Sequence, residues 1–322
     1  MRILLLICSL LICSSSNAQT KKRQAPKKKS PPQTALATKV LKGFNQNFSM
    51  MPNMNTSMYA NIRQLKPQLL RYPGGTVTHS WNWQEGVITS RASKSVHPIT
   101  EIKTLADTTG ADFVFVLDIL NKTLADQVEM LTSIETLGVQ IKYIELGNEL
   151  YAQDDSYKKI FPTGKDYATR VNEWVPTLRK KFPKAKIAAL LLGRKVKPAN
   201  TRLFNWNRQV VDNTIYSVDA FTYHIYINEK ETFEQEKADF IAVTTAANTK
   251  SKELWITEYG SNQDKSKPSY YTELAKLADF VESFPNVTIA LNHQIVGGTK
   301  SKLTEDGMRF NEEGELYLKR VK

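Results

Sequence analysis

The chain is poor in the residues that would announce several kinds of chemistry. It has two cysteines in 322 residues, Cys8 and Cys13, so everything after residue 13 lacks a thiol. That excludes a disulfide framework, a cysteine metal site and a cysteine nucleophile from the body of the protein. Its four histidines, His79, His97, His224 and His293, show neither His-Glu-x-x-His nor any i,i+4 spacing. No Gly-x-Ser-x-Gly elbow occurs, and no glycine-rich phosphate turn follows an early strand. Gly74-Gly75 is followed by Thr76-Val77 rather than Lys-Ser/Thr, so it reads as a turn needing positive φ and not as a phosphate cradle. The sequence therefore asks for no metal and no organic cofactor. The apolar run at residues 3–13 is too short to span a bilayer.

What is present begins with charge. The formal net charge is +12, from 44 Lys and Arg against 32 Asp and Glu. Residues 1–30 hold seven of those cations and no acid, so the remainder carries 37 against 32. A body so mildly basic gives no reason to expect a nucleic-acid groove. Residues 1–18 have secretory-signal grammar: Arg2, an apolar run, then Ser16-Asn17-Ala18 before Gln19. Secretion or periplasmic export is expected. Lipidation at Cys13 is the alternative, disfavoured by the bulky Ile12 before it. Residues 19–37 mix lysines with Pro26, Pro31 and Pro32, which describes a basic solvated spacer or a weak electrostatic tether for an anionic glycan or surface.

Residues 38–322 read as one catalytic domain of βα units. Short β-rich apolar runs fall at 40–48, 69–72, 111–117, 141–146, 187–192, 220–225, 254–257 and 287–291. Segments of helical period lie at 58–65, 98–108, 124–137, 165–181, 202–211, 237–247, 270–284 and 312–319, with Gly110 and Gly138 placed to stop two of them. Eight strands at a spacing of about 35 residues predict an α/β fold, a (β/α)8 TIM barrel.

In such a barrel chemistry sits at the carboxyl ends of the strands. Those positions are polar here: Arg71-Tyr72-Pro73-Gly74-Gly75, Glu145-Leu146-Gly147-Asn148-Glu149, Tyr223-His224-Ile225-Tyr226, Thr257-Glu258 and Asn292-His293-Gln294. Glu149 and Glu258 lie three βα units apart, after strands four and seven, which sets two carboxylates across one mouth. Glycosidic cleavage needs such a pair, one acid to protonate the leaving oxygen and one carboxylate facing the anomeric carbon. A lone glutamate would read as a solvated loop residue; two at matched strand ends reverse that preference. Arg71 is placed to keep Glu258 ionised, Asn148 to bond a sugar 2-hydroxyl, His224 and Tyr226 to orient the nucleophile, and Gln294 to hold a ring hydroxyl. Each also reads as a core polar residue or packing when judged alone. Trp81, Trp83, Tyr72 and Tyr151 suit either stacking on sugars at the rim or covering the barrel edge. Glu145, four residues before Glu149, reads as a deeper internal hydrogen-bonding partner on the same strand.

These residues resemble the retaining glycoside hydrolases of clan A, in which an Asn-Glu pair after strand four supplies the acid/base and a glutamate after strand seven the nucleophile. Leu70–Val87 (LRYPGGTVTHSWNWQEGV) is similar to the strand-two segment of α-L-arabinofuranosidases. IELGNE, ending at Glu149, is similar both to that family and to heparanase-like β-glucuronidases, and Tyr223-His224-Ile225-Tyr226 and Gln294 fall on matching positions after strands six and eight. The resemblance covers nearly all of residues 38–322 and implies a carbohydrate partner and a double-displacement mechanism. Two features depart from it: Gly43-Phe44-Asn45-Gln46-Asn47 offers no glutamate after strand one, and only about 30 residues follow strand eight, too few for the appended β-sandwich of those families. A non-catalytic carbohydrate-binding barrel and a transglycosidase are the competing readings.

Overall fold

A computed structural model describes residues 39–93 and 95–321. The signal-like segment and the whole of the basic spacer lie outside those residues.

Eight parallel strands close into a barrel in chain order. They are β1 (Leu41–Asn45), β2 (Leu69–Tyr72), β3 (Asp112–Leu117), β4 (Tyr143–Leu146), β5 (Lys186–Leu190), β6 (Ala220–Ile227), β7 (Glu253–Ser261) and β8 (Val287–His293), with β8 pairing back onto β1. Each predicted apolar run supplies one of them. The first is shorter than expected: pairing stops at Asn45, opposite Arg71 of β2 and the last residue of β8, His293, and a short 3-10 turn takes over at Phe48–Met50.

The helices are α1 (Thr56–Gln64), α2 (Thr100–Thr109), α3 (Leu124–Thr136), α4 (Asp155–Ile160), α5 (Gly164–Lys181), α6 (Thr201–Thr214), α7 (Phe233–Ala247), α8 (Tyr270–Ser283) and α9 (Glu312–Val321). Local chemistry sets their ends. Thr163 with Asp166 caps α5 and Thr232 with Gln235 caps α7, each satisfying two backbone donors reciprocally. Gly110 closes α2 in the left-handed conformation, as its position in the sequence implies. Helix α4 has no counterpart among the predicted segments; its six residues are too few to show a period, and Asp154 caps it. After β8 the chain makes a loop and α9, and the described residues contain no β-sandwich.

The barrel interior is layered. Leu69, Val114, Ala188, Ala220, Trp255, Ile289 and Leu291 form an apolar plug, in which two alanines on β5 and β6 leave room for the Trp255 indole. Two residues beyond Leu69 and Trp255, and so on the same face, come Arg71 and Thr257, with Asn45 at the end of β1 beside Arg71. The apolar plug thus supports a polar layer at the carboxyl ends.

Strand β1 is pressed against β2 where Gly43 faces Leu69. A Cβ at residue 43 would lie 1.7 Å from the Leu69 carbonyl oxygen, a backbone atom that cannot step aside. Gly43→Ala is therefore expected to cost at least about 2–3 kcal/mol of stability, measured by urea unfolding. A variant with an unchanged midpoint would show that the strands separate freely here.

Candidate active site

Arg71 is the hub of the polar layer. It is fully buried, yet its guanidinium donates to Glu145 Oε2 at 2.7 Å, Asn45 Oδ1 at 3.0 Å, Glu258 Oε1 at 2.6 Å and Asn148 Oδ1 at 2.9 Å. Burial opposes its charge, but the Glu145 and Glu258 carboxylates outweigh it and hold the group cationic. Glu145 also accepts from Thr257 Oγ1 at 3.0 Å, so it is the internal partner its sequence position suggests. Strand β4 ends at Leu146, however, and strand alternation does not carry on to Glu149.

Glu149 is aimed by a turn instead. Gly147 has φ 91° and Glu149 itself φ 44°, a left-handed conformation that costs a residue with a Cβ roughly 1–3 kcal/mol and is kept where surrounding contacts determine it. Here His79 Nε2 donates to the Asn148 carbonyl at 2.8 Å, Ala152 N to the Glu149 carbonyl at 2.7 Å, and Arg202 to the Leu150 and Ala152 carbonyls at 2.7 and 3.0 Å. His79 and Arg202 escape sequence reading because each acts on backbone oxygens distant in the chain.

Glu258 is aimed by an irregularity in β7. Tyr223 pairs with Ile256, but the next residue of β6, His224, pairs with Glu258, so β7 carries one extra residue at Thr257. Such bulges re-aim a side chain. Thr257 and Glu258, neighbours that regular alternation would send to opposite faces, both reach the polar layer: Thr257 bonds Glu145, and Glu258 bonds Arg71.

The two glutamates meet around one imidazole. His224 Nδ1 lies 2.9 Å from Glu149 Oε1 and 3.7 Å from Glu258 Oε2, and the sum of those distances is an upper bound on the separation of the two oxygens. When Glu149 is a carboxylate it can only accept, and Nδ1 then carries the proton. Thus His224 bonds the first glutamate and only approaches the second, whereas the sequence reading set it to orient Glu258. Tyr226 does make that contact, its hydroxyl donating to Glu258 Oε2 at 2.7 Å. Burial pulls the His224 pKa down, but Glu258 and Glu149 reverse this and the net direction is up. For Glu258, burial pushes the pKa up; His224, Arg71 and His293 together with the Tyr226 hydroxyl overcome it and bring the group to about 2.

The two carboxylates differ in exposure. The Glu258 side chain is 9% exposed and the Glu149 side chain 36%. Glu149 lines a cavity of about 300 Å3 together with Tyr151, Arg194, His224 and Tyr226. Tyr151 donates to Glu149 Oε1 at 3.2 Å. At the Glu258 end, a Cβ on Gly75 would lie 2.6 Å from Glu258 Oε1, so the turn after β2 needs a residue without a side chain at this point. Gly74 beside it has φ 123°, the positive value expected of the turn.

The remaining predicted residues fall less centrally. Asn148 is buried, with Oδ1 held by Arg71 and Nδ2 3.5 Å from Thr76 Oγ1. Gln294 is buried and directs its amide nitrogen to the Gly297 carbonyl, leaving Oε1 without a partner among the described residues. Trp81 and Trp83 do not form an exposed rim platform. They are 4% and 6% exposed in the main core, with Trp81 Nε1 donating to the Tyr72 hydroxyl at 2.8 Å and its ring edge-on to Phe48 and Tyr72. Tyr72 is equally buried, because β2 turns it outward into the barrel–helix core. Gln46, in the segment after β1 that offers no glutamate, bonds the backbone of Ile295 and Val296 and ties β1 to the loop after β8. His293 accepts from Asn45 Nδ2 at 2.8 Å, and burial brings its pKa down to about 4, so it presents a neutral ring near Glu258 and edge-on to Tyr226. Among the described residues no group of three or more His, Asp and Glu is placed to hold a metal ion.

Fold and site together define a parallel (β/α)8 barrel with a charged floor and two carboxylates meeting at the carboxyl ends of β4 and β7. Solved structures that superpose on it include glycoside hydrolases of clan A type. A family 51 α-L-arabinofuranosidase from Bifidobacterium longum superposes with a TM-score of 0.67 at 13% identity, over 88% of this chain and 72% of that one. An endo-β-1,3-glucanase from Sorangium cellulosum superposes at 0.54 and 15% identity, over 86% and 97%. Fungal β-1,4-galactanases give 0.56 and 10%, over 86% and 98%. No protein-family model and no curated protein matches the sequence.

Proposed function

We propose that the protein is a retaining glycoside hydrolase, with Glu149 as acid/base and Glu258 as nucleophile. The observation that carries this reading is the pair of unlike carboxylates on either side of His224: one locked, ionised and nearly buried, the other partly solvated in the cleft. One oxygen of each carboxylate lies close to the same His224 nitrogen, which supports the close pair, roughly 5–5.5 Å apart, that double displacement uses. Glu258, kept charged by Arg71 and Tyr226, is suited to attack the anomeric carbon. Glu149 stands where it protonates the departing oxygen and then, as carboxylate, activates water on the glycosyl-enzyme. His224, bonded to Glu149, holds that carboxyl in place between the steps.

The neighbouring structures support the class and leave the sugar open, since they include arabinofuranosidase, glucanase and galactanase activities. The amino-terminal segments support export of the enzyme, with a mature chain beginning at Gln19; intact-mass analysis of the exported protein checks this, and a retained residue 1 overturns it. The functional test is a panel of aryl furanosides, pyranosides and uronides. Turnover is expected on one class. Glu149→Ala on an activated aryl substrate is expected to regain activity in azide with formation of a glycosyl azide of retained configuration, because the small anion needs no base. Normal hydrolysis by that variant without azide product would remove Glu149 from its role. Transfer of the sugar to added acceptors in preference to water would make the protein a transglycosidase on the same residues; binding of oligosaccharides without any turnover would leave a carbohydrate-binding barrel.

A further inference from the structure

The cleft continues past the carboxylates. A second cavity, of about 610 Å3, adjoins the one at Glu149 and shares Arg194, Asn228 and Asn262 with it. It is walled by the loops after β5, β6, β7 and β8, on the face that carries the site.

Its lining holds four cations, Arg194, Lys230, Lys265 and Lys300, against the carboxylates of Glu229 and Glu231. Internal pairing leaves the positive charge in excess. Lys265 is committed to Glu313 at 2.8 Å. Glu231 accepts from Asn228 Nδ2 at 2.8 Å and bonds the carboxyl of Glu236, whose pKa is raised to about 8, first by burial and then by Glu231. Arg194, Lys230 and Lys300 make no ion pair among the described residues, and they outnumber the two ionised carboxylates of the lining, Glu229 and Glu231. Lys300 is half-buried. Its Nζ stands 5.5 Å from the ring centroid of Tyr226, the residue whose hydroxyl holds Glu258 at 2.7 Å. Gln263, also in the lining and 8% exposed, has an Oε1 with no hydrogen-bond partner among the described residues. A half-buried lysine without a counter-ion, beside an open cavity and within one or two sugar units of the nucleophile, is stabilised by an anion arriving from solvent.

We propose that this cavity is a binding subsite for an anionic substituent of the polysaccharide, a carboxylate or sulfate ester, gripped by Lys300 and Arg194 close to the bond being cleaved. The inference rests on the glycosidase reading and names the chemical class of its substrate. Charge at this position selects the chain that enters and its register, while Glu149 and Glu258 act on whichever linkage is thereby centred.

The test uses the full-length exported protein carrying Glu258→Gln, which retains bound glycan, on an array of neutral, uronate-bearing and sulfated oligosaccharides. Acidic members are expected to bind at least about ten-fold tighter than neutral ones of matched backbone, with the advantage shrinking between low and high salt. Adding Lys300→Gln and Arg194→Gln is expected to abolish that advantage while the melting temperature stays unchanged. Uronate-only or sulfate-only binding identifies which anion the pocket takes. Neutral members bound as tightly as acidic ones, indifferent to the double substitution, overturn this inference alone. Acidic binding that survives the double substitution but disappears when the lysines of residues 21–29 are neutralised assigns the anion affinity to the amino-terminal segment and overturns the pocket. No binding to any member overturns this inference and the glycosidase reading together.

Discussion

Glu258→Gln is expected to lower kcat/KM by about five orders of magnitude on the best substrate found, in a protein that still folds at neutral pH. The size follows from the role: an amide is no nucleophile, and removing one member of a concerted catalytic unit loses nearly the whole rate gain. The fold should tolerate it because the amide oxygen still accepts from Arg71, the Tyr226 hydroxyl keeps a nearby polar atom, and Glu145 still neutralises the guanidinium. A variant that unfolded instead would make Glu258 a structural carboxylate. The same group has a pH signature. Its folded pKa, about 2, lies below the ordinary value of 4.5, so between those limits the unfolded chain binds more protons than the native one. The stabilisation contributed by ionised Glu258 is therefore full above pH 4.5 and is lost as pH falls toward 2. Urea midpoints of the wild type should drop over that window more steeply than those of Glu258→Gln; parallel profiles would refute the depressed pKa.

Arg71→Met is expected to be far more damaging to the fold, by about 3–5 kcal/mol, because it leaves Glu145 and Glu258 buried with no cation between them. Its size makes the comparison fair, since methionine fills much of the space and the loss is electrostatic. Arg71→Lys tests the geometry separately. A lysine supplies the charge but has one nitrogen where the guanidinium reaches Glu145, Asn45, Glu258 and Asn148 at once. It should therefore fold, with kcat reduced and the acid limb of kcat/KM shifted upward as the nucleophile's pKa rises. A Lys variant with wild-type kinetics would show that charge alone is required; an Arg71→Met protein as stable as wild type would show that the carboxylates are solvated rather than buried.

The barrel was legible because its physics is local and periodic. Buried parallel strands read as short apolar runs, helices as 3.6-residue patterns, and their regular repetition counts the units. Helix α4 was not, being too short to repeat. In the site, Glu149, Glu258, Arg71, Asn148, His224 and Tyr226 were legible as polar residues where a strand ends, and the structure brings all six together. The role of His224 was not, since its proximity to Glu149 depends on where β6 lies relative to the turn after β4. Trp81 and Trp83 misled because a tryptophan in a loop looks the same whether it faces a sugar or, as here, closes the core.

By itself the sequence determined the eight-unit barrel, the two strand ends that carry the glutamates, and the lack of any thiol after residue 13. These follow from composition and from spacing along the backbone. Only the tertiary structure decided how the glutamates are aimed: Glu149 by a left-handed turn held through His79 and Arg202, and Glu258 by the extra residue in β7. It alone decided that Arg71 serves both Glu145 and Glu258, and that Arg194 and Lys300 stand unpaired in the neighbouring cavity. The reason is physical: a side chain's ionisation and direction are set by groups that close the barrel from the far end of the chain, and no local pattern records them.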